Sequence, residues 1–130
     1  MPSKTRLKLN NRVSGNGHPV VFIHGFLESI SMWDHLEFDV NFTKLYFDLP
    51  GHGKSPYDSN SNSSMQSMAA LIMGELADQK ITNYTVVGHS MGGYVALELM
   101  KMDERCTKLV LLNSNYWEDD AQKKIDRIRL

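Results

Sequence analysis

One cysteine in 130 residues, Cys106, rules out an internal disulfide, and prolines number only four. No charge of one sign dominates: 14 Lys and Arg stand against 15 Asp and Glu, a formal net charge of −1. With no basic block or stripe there is no footprint for nucleic acid, and near-neutrality gives no steering toward anionic partners. No apolar run approaches the roughly 20 residues that span a bilayer, and the N-terminal MPSKTRLKLN has no apolar h-region of the kind a signal peptide carries. The five histidines show no paired ligand spacing and the lone cysteine makes no cluster, so neither a metal nor a cofactor is expected. These absences leave the expectation of one cytoplasmic globular domain, 42% hydrophobic, with no nucleic-acid and no membrane partner. Cys106, set among apolar neighbours, reads as a small buried hydrophobe rather than a reactive thiol.

What is present alternates between strand and helix patterns. TRLKLN alternates apolar and polar residues, and NRVSGNGHP supplies turn signals at Gly15 and Gly17, which together read as the start of a β-hairpin. VVFIHG, a β-branched run closed by glycine, reads as a buried strand. ISMWDHLEF places Ile30, Trp33 and Leu36 at helical intervals. FTKLYFDLPG is a further strand closed by Pro50-Gly51, and the polar PYDSNSNSS after it is a surface loop. Ser63 and Gln66 match a capping box. Met65, Met68, Ala69, Ile72 and Leu76 then recur every three or four residues, the apolar stripe of a helix packed on a core. YTVVG, MGGYVALELMKM and TKLVLLN read as strand, helix and strand. EDDAQKKIDRIRL, acidic first and basic last, suits a helix dipole. This order predicts an α/β domain, a three-layer αβα sandwich with a mostly parallel sheet and right-handed crossovers. Ligands of such sheets bind beyond the carboxyl ends of the strands, and HGF, DLPGHG and GHSMG all fall there.

Gly88-His89-Ser90-Met91-Gly92 fits G-x-S-x-G at the joint of a strand and a helix, the setting that motif requires. A turn this tight lifts the serine hydroxyl clear of the backbone. Side chains two residues to either side would strike the neighbouring strand and helix, which accounts for Gly88 and Gly92. The helix N-terminus aims free N–H groups at the same point, so the Met91 amide is a candidate oxyanion donor. FIHGF supplies the second: a sharp turn at His24-Gly25 lets the Phe26 amide face a reacting carbonyl, with His24 as a structural hydrogen-bonder. Gly53-Lys54-Ser55 resembles the tail of a phosphate loop, but G-x-x-x-x-G-K-[ST] puts glycine where this chain has Asp48, a negative charge against phosphate, and no helical pattern follows.

Taken together, HGF, DLPGHGKS and GHSMGG, in that order from about Val20 to Asn113, resemble the first half of an α/β-hydrolase-fold enzyme. The resemblance implies Ser90 as nucleophile, Phe26 and Met91 as backbone oxyanion donors, and structural roles for Asp48, Gly51 and His52. Serine at the elbow argues against the dehalogenase and epoxide hydrolase branches, which attack through a carboxylate. A small carboxylic ester or thioester is the default substrate; Tyr94 stands where the menaquinone-pathway lyases of this fold carry arginine, which argues against that assignment, and carbon–carbon hydrolases and lyases are the alternative chemistry. In the family the triad runs Ser, then Asp or Glu, then His. Here His18, His24, His35, His52 and His89 all precede Ser90, and Glu118, Asp119 and Asp120 are weak stand-ins for the acid. The expectation is therefore a fragment, inert by itself: residues 1–113 as the N-terminal part of the core and 114–130 as the opening of a cap helix. It also predicts that TKLVLLN is an unprotected apolar edge, a route to self-association. The alternative is a non-catalytic binding protein of the same fold.

Overall fold

A computed structural model describes residues 6–38, 40–57 and 64–112. Five strands form one sheet: β1 (Asn11–Gly15), β2 (Pro19–Ile23), β3 (Thr43–Phe47), β4 (Tyr84–His89) and β5 (Cys106–Leu112). Their order is β1-β3-β2-β4-β5, with β1 antiparallel to β3 and every other pairing parallel. Two α-helices follow β3 and β4 in turn, α1 (Met65–Asp78) and α2 (Met91–Met102). The mostly parallel α/β architecture expected from the sequence is the one observed.

Alternation along the strands sorts two cores. Val21 and Ile23 of β2, Leu45 and Phe47 of β3 and Val86 of β4 face α1 and α2, where Met68, Ala69, Ile72, Leu76, Val95, Ala96 and Leu99 are buried against them. The methionine stripe is thus core packing. On the other face Phe22, Tyr46 and Val87 meet Ile30 and Trp33. Phe22 stacks on Tyr46 at 4.9 Å and meets Trp33 edge-on at 5.1 Å. Cys106 is buried, and burial pushes its thiol up to about 11, as a core cysteine should be.

Three expectations need correction. First, β1 begins only at Asn11 and pairs with β3 rather than with β2 as a hairpin would. Residues 6–9 instead dock on α1: Glu75 accepts the Leu9 amide at 2.8 Å and pairs with Arg6 at 2.9 Å. The alternation of TRLKLN reflects that docking, not a ladder. Second, the segment after β2 is a 3-10 helix, Ile30–His35, not an α-helix. The spacing of three between Ile30 and Trp33 suits both forms, and Leu36, the third supposed core position, is exposed. Third, α1 is capped one residue later than the capping box implies: the Ser64 hydroxyl accepts the Ser67 amide at 3.1 Å. Ser63 lies outside the described residues, as do Glu118, Asp119, Asp120 and the predicted cap helix over 114–130. Within the described sheet β5 is the outermost strand beyond β4, with Leu109, Val110 and Leu111 half-buried.

The topology fixes where a site can form. From β2 the chain moves to β3 on one side; from β4 it moves through α2 to β5 on the other. The connections therefore diverge between the carboxyl ends of β2 and β4, and a crevice opens there.

Candidate active site

Ser90 sits at that crevice, directly between β4 and α2. Its backbone adopts φ 58° and ψ −121°, a conformation a non-glycine residue holds only when its surroundings enforce it. The surroundings are backbone. The Ser90 amide donates to the Leu112 carbonyl at 2.9 Å, and the Ser90 carbonyl accepts the Gly93 amide at 2.9 Å. A Cβ at Gly92 would collide with the carbonyl oxygens of Ile23 and His24, and one at Gly88 would lie 2.7 Å from Gly93 Cα. Both glycines predicted from the motif are thus required by close approach. The Ser90 side chain makes no capping hydrogen bond to α2, so a merely helix-capping role does not describe it. Met91 is the first residue of α2, where amides have no partner inside the helix.

The turn after β2 lies against this joint. A Cβ built on Gly25 would stand 3.1 Å from Ser90 Cβ and 3.2 Å from the His89 carbonyl oxygen. Gly25 is held on both sides of its residue. Its carbonyl accepts from His24 Nδ1 at 2.7 Å and from the Glu28 amide at 3.2 Å, and its own amide donates to Glu28 Oε1 at 2.6 Å. The Gly25 amide being occupied, Phe26 presents the next one along the turn. Phe26 and Leu27 project outward, 64% and 81% exposed, with Leu27 at φ 64°.

His24 is fully buried and both ring nitrogens are committed. Nε2 accepts the Leu49 amide at 3.0 Å, so Nδ1 carries the proton it donates to Gly25. Burial holds its pKa below the usual histidine value. It is a structural hydrogen-bonder, as its position at the turn suggested. Asp48, after β3, accepts from the Ile30 amide at 2.7 Å, the Lys54 amide at 2.9 Å and Asn10 Nδ2 at 2.9 Å. Burial raises its pKa, but the three donors outweigh burial and hold the carboxyl below the ordinary range. The Lys54 amide that a phosphate loop would offer to a nucleotide is therefore taken. His52 donates from Nδ1 to the Pro50 carbonyl at 3.0 Å, and His18 pairs with Thr85 at 3.0 Å at the amino ends of β2 and β4.

Glu28 is the participant that motif reading missed. Its Oε1 accepts from Gly25 and also from His89 Nδ1 at 3.0 Å, joining the turn after β2 to the residue before Ser90. No spacing rule singles it out; the only clue is an acidic residue three positions past a turn glycine. Among the described residues no three His, Cys, Asp or Glu side chains gather as a metal cage requires. No described helix is long and apolar enough to cross a membrane.

A strained serine at the switch point of a parallel sheet, backed by a glycine turn, defines a class of α/β domain whose ligands enter at the strand carboxyl ends. The family model for the alpha/beta hydrolase fold matches residues 18–128, and the chain belongs to that family. In sequence it is 35% identical over 79 residues to the 2-succinyl-6-hydroxy-2,4-cyclohexadiene-1-carboxylate synthase of Escherichia coli O1:K1, a match covering 60% of this chain and 31% of that enzyme. In structure it resembles an esterase from Exiguobacterium antarcticum, with TM-score 0.73 and 30% identity over 81% of this chain and 41% of the esterase. It likewise resembles the N-acyl homoserine lactonase AidH, with TM-score 0.73 and 28% identity over 79% of this chain and 40% of the lactonase. The likeness to an epoxide hydrolase, 24% identical at TM-score 0.71, is one of fold. The chain thus spans about two fifths of these solved relatives and under a third of the matched synthase.

Proposed function

We propose that this chain carries the nucleophile half of a serine hydrolase acting on carboxylic esters or thioesters. The observation that supports it most directly is Ser90 at φ 58°, without a capping role, beside the Gly25 turn. In this reading Ser90 Oγ attacks the carbonyl carbon of the substrate and gives up its proton to a base. The carbonyl oxygen takes negative charge and is received by the Phe26 and Met91 amides. The alcohol or thiol leaves, and water later releases the acyl group from Ser90.

Among the described residues no hydrogen bond joins a histidine to Ser90. His24 has both ring nitrogens bound, His18 sits at the opposite end of the sheet, and His52 and His89 bond the Pro50 carbonyl and Glu28 through Nδ1. The reading therefore requires a base that the described residues do not set against Ser90. Without one, turnover falls by on the order of 10⁶-fold, as for loss of the subtilisin histidine.

Exogenous imidazole supplies that base and makes the proposal testable. A neutral fluorophosphonate in imidazole buffer should form one adduct, on Ser90, and none on Ser90→Ala. A folded chain that gives no Ser90 adduct at high imidazole overturns the proposal. The 35% identity to the synthase favours a second reading, carbon–carbon bond chemistry on the same serine. An imidazole-dependent adduct together with no hydrolysis of aryl esters would favour that reading, and Tyr94, half-exposed in the first turn of α2, would then face its substrate.

A further inference from the structure

We infer that Glu28 is the positioning residue of the candidate oxyanion site, a clamp that sets the distance between the Phe26 and Met91 amides. The inference rests on the serine-hydrolase reading for its consequence, but the clamp is geometric. One carboxylate oxygen, Oε1, accepts from the Gly25 amide at 2.6 Å and from His89 Nδ1 at 3.0 Å. The first donor belongs to the turn that carries Phe26; the second is the neighbour of Ser90 and two residues before Met91. A Cβ at Gly25 would lie 2.8 Å from that oxygen and 3.1 Å from Ser90 Cβ, so carboxylate and serine flank the same glycine.

The turn needs such a tie. β2 and β4 are paired through Ile23 and Gly88, and the ladder stops there. Past it, Leu27 holds φ 64° and Ser90 holds φ 58°, two strained residues in two separate loops. Glu28 Oε1 is the side-chain atom, among the described residues, that hydrogen-bonds to both loops. The pairing also makes His89 carry its proton on Nδ1 when neutral, because only a donor there satisfies the carboxylate. Trp33 packs edge-on against the His89 ring at 6.4 Å and backs the imidazole in place. Misplacing one of two oxyanion donors by about 1 Å is enough to lower a rate on the order of 10²-fold.

The test compares Glu28→Ala, Glu28→Gln and His89→Ala in the intact chain by two readouts. The first is the resting protein: amide exchange at Gly25 and the imidazole ¹⁵N signature of His89. The second is the imidazole-supported rate of fluorophosphonate labelling at Ser90. Glu28→Ala should expose the Gly25 amide, abolish the His89 Nδ1–H signature and slow labelling on the order of 10²-fold, while Val21 and Val86 amides exchange as before. Glu28→Gln keeps an acceptor at Oε1 and should restore all three. The Glu28→Ala, His89→Ala double variant should label no more slowly than the worse single variant. The clamp is overturned if Glu28→Ala leaves Gly25 and His89 unchanged, if Gln fails as badly as Ala, or if sheet amides loosen equally. Should the parent chain form no Ser90 adduct at all, the hydrolase reading falls, and the exchange and ¹⁵N data alone judge the clamp.

Discussion

Two buried carboxylates stand at opposite ends of one sheet and are satisfied by different means. Asp48, at the carboxyl end of β3, is surrounded by neutral donors: two backbone amides and an asparagine. Asp103, before the amino end of β5, accepts the Tyr84 hydroxyl at 2.8 Å and the Arg105 guanidinium at 2.8 and 2.9 Å. Both carboxyls are held below their usual range despite burial, by hydrogen bonds in one case and chiefly by Arg105 in the other. The difference teaches what each end is for. At the amino end a cation locks α2 to β5. At the carboxyl end the described residues set no cation against Asp48, and the carboxylate ties together the segments that carry Asn10, Ile30 and Lys54.

The carboxyl end is also the crowded end, and substitutions there should separate the two regions most. Gly92→Ala drives a methyl into the Ile23 and His24 carbonyls, which cannot move without breaking the joint, and should cost about 3 kcal/mol or more. Gly93→Ala, one residue on, meets the movable Leu111 Cδ2 at 3.2 Å and the Gly88 carbonyl oxygen at an ordinary 3.9 Å and should be tolerated; paired denaturant melts check the contrast.

Next in size is the exchange of the carboxylates. Asp48→Ala strands the buried Ile30 amide along with two further donors and should cost about 3 kcal/mol. Asp103→Ala should cost less, about 2 kcal/mol, because Arg105 is a quarter exposed and can turn to water. Equal losses in urea unfolding would erase the distinction drawn between the ends.

Acid titration sharpens it further. Both Asp pKa values are depressed in the folded chain, so each contributes stability that is present above its unfolded value near 3.8 and is lost as the pH falls through the folded one. His24 acts earlier. Its folded pKa lies below 6.5, so the unfolded chain binds the proton first, and stability that is full above pH 6.5 declines as the pH drops toward the folded value. His24→Asn should lower stability at pH 7.5 and flatten the slope below pH 6.5 in thermal melts. A slope that persists unchanged assigns it to another group.

The smallest effect belongs to the amino end. With its thiol pushed up to about 11 and the side chain buried, Cys106 should react with iodoacetamide at pH 8 only as fast as the chain unfolds. Alkylation in the native state, followed by mass, would show that end to be open.

Most elements were legible because burial leaves a period in the residues. VVFI and YTVV are buried strands, and Met68, Ile72 and Leu76 mark the face of α1 that meets them. The joint at Ser90 was legible because a strand and a helix that touch tolerate no Cβ at Gly88 and Gly92. Period says which side of an element is buried, not what covers it. Hence β1, exposed along its whole length, shows no burial period, and the pairing of Val13 with Leu45 of β3 rather than with β2 follows from the route of the chain. Hence too Ile30 and Trp33, three apart, did not separate a 3-10 helix from an α-helix.

The sequence by itself determined the α/β class, the glycines of the joint and the serine it presents, because steric exclusion and burial act on residues close along the chain. Only the tertiary structure decided the strand order, the proton position on His24 and the bond from Glu28 across 61 residues to His89. Those depend on which backbone groups the crossovers bring within hydrogen-bonding distance. A carboxylate shows no preference for a partner until the fold has removed the water that would otherwise satisfy it.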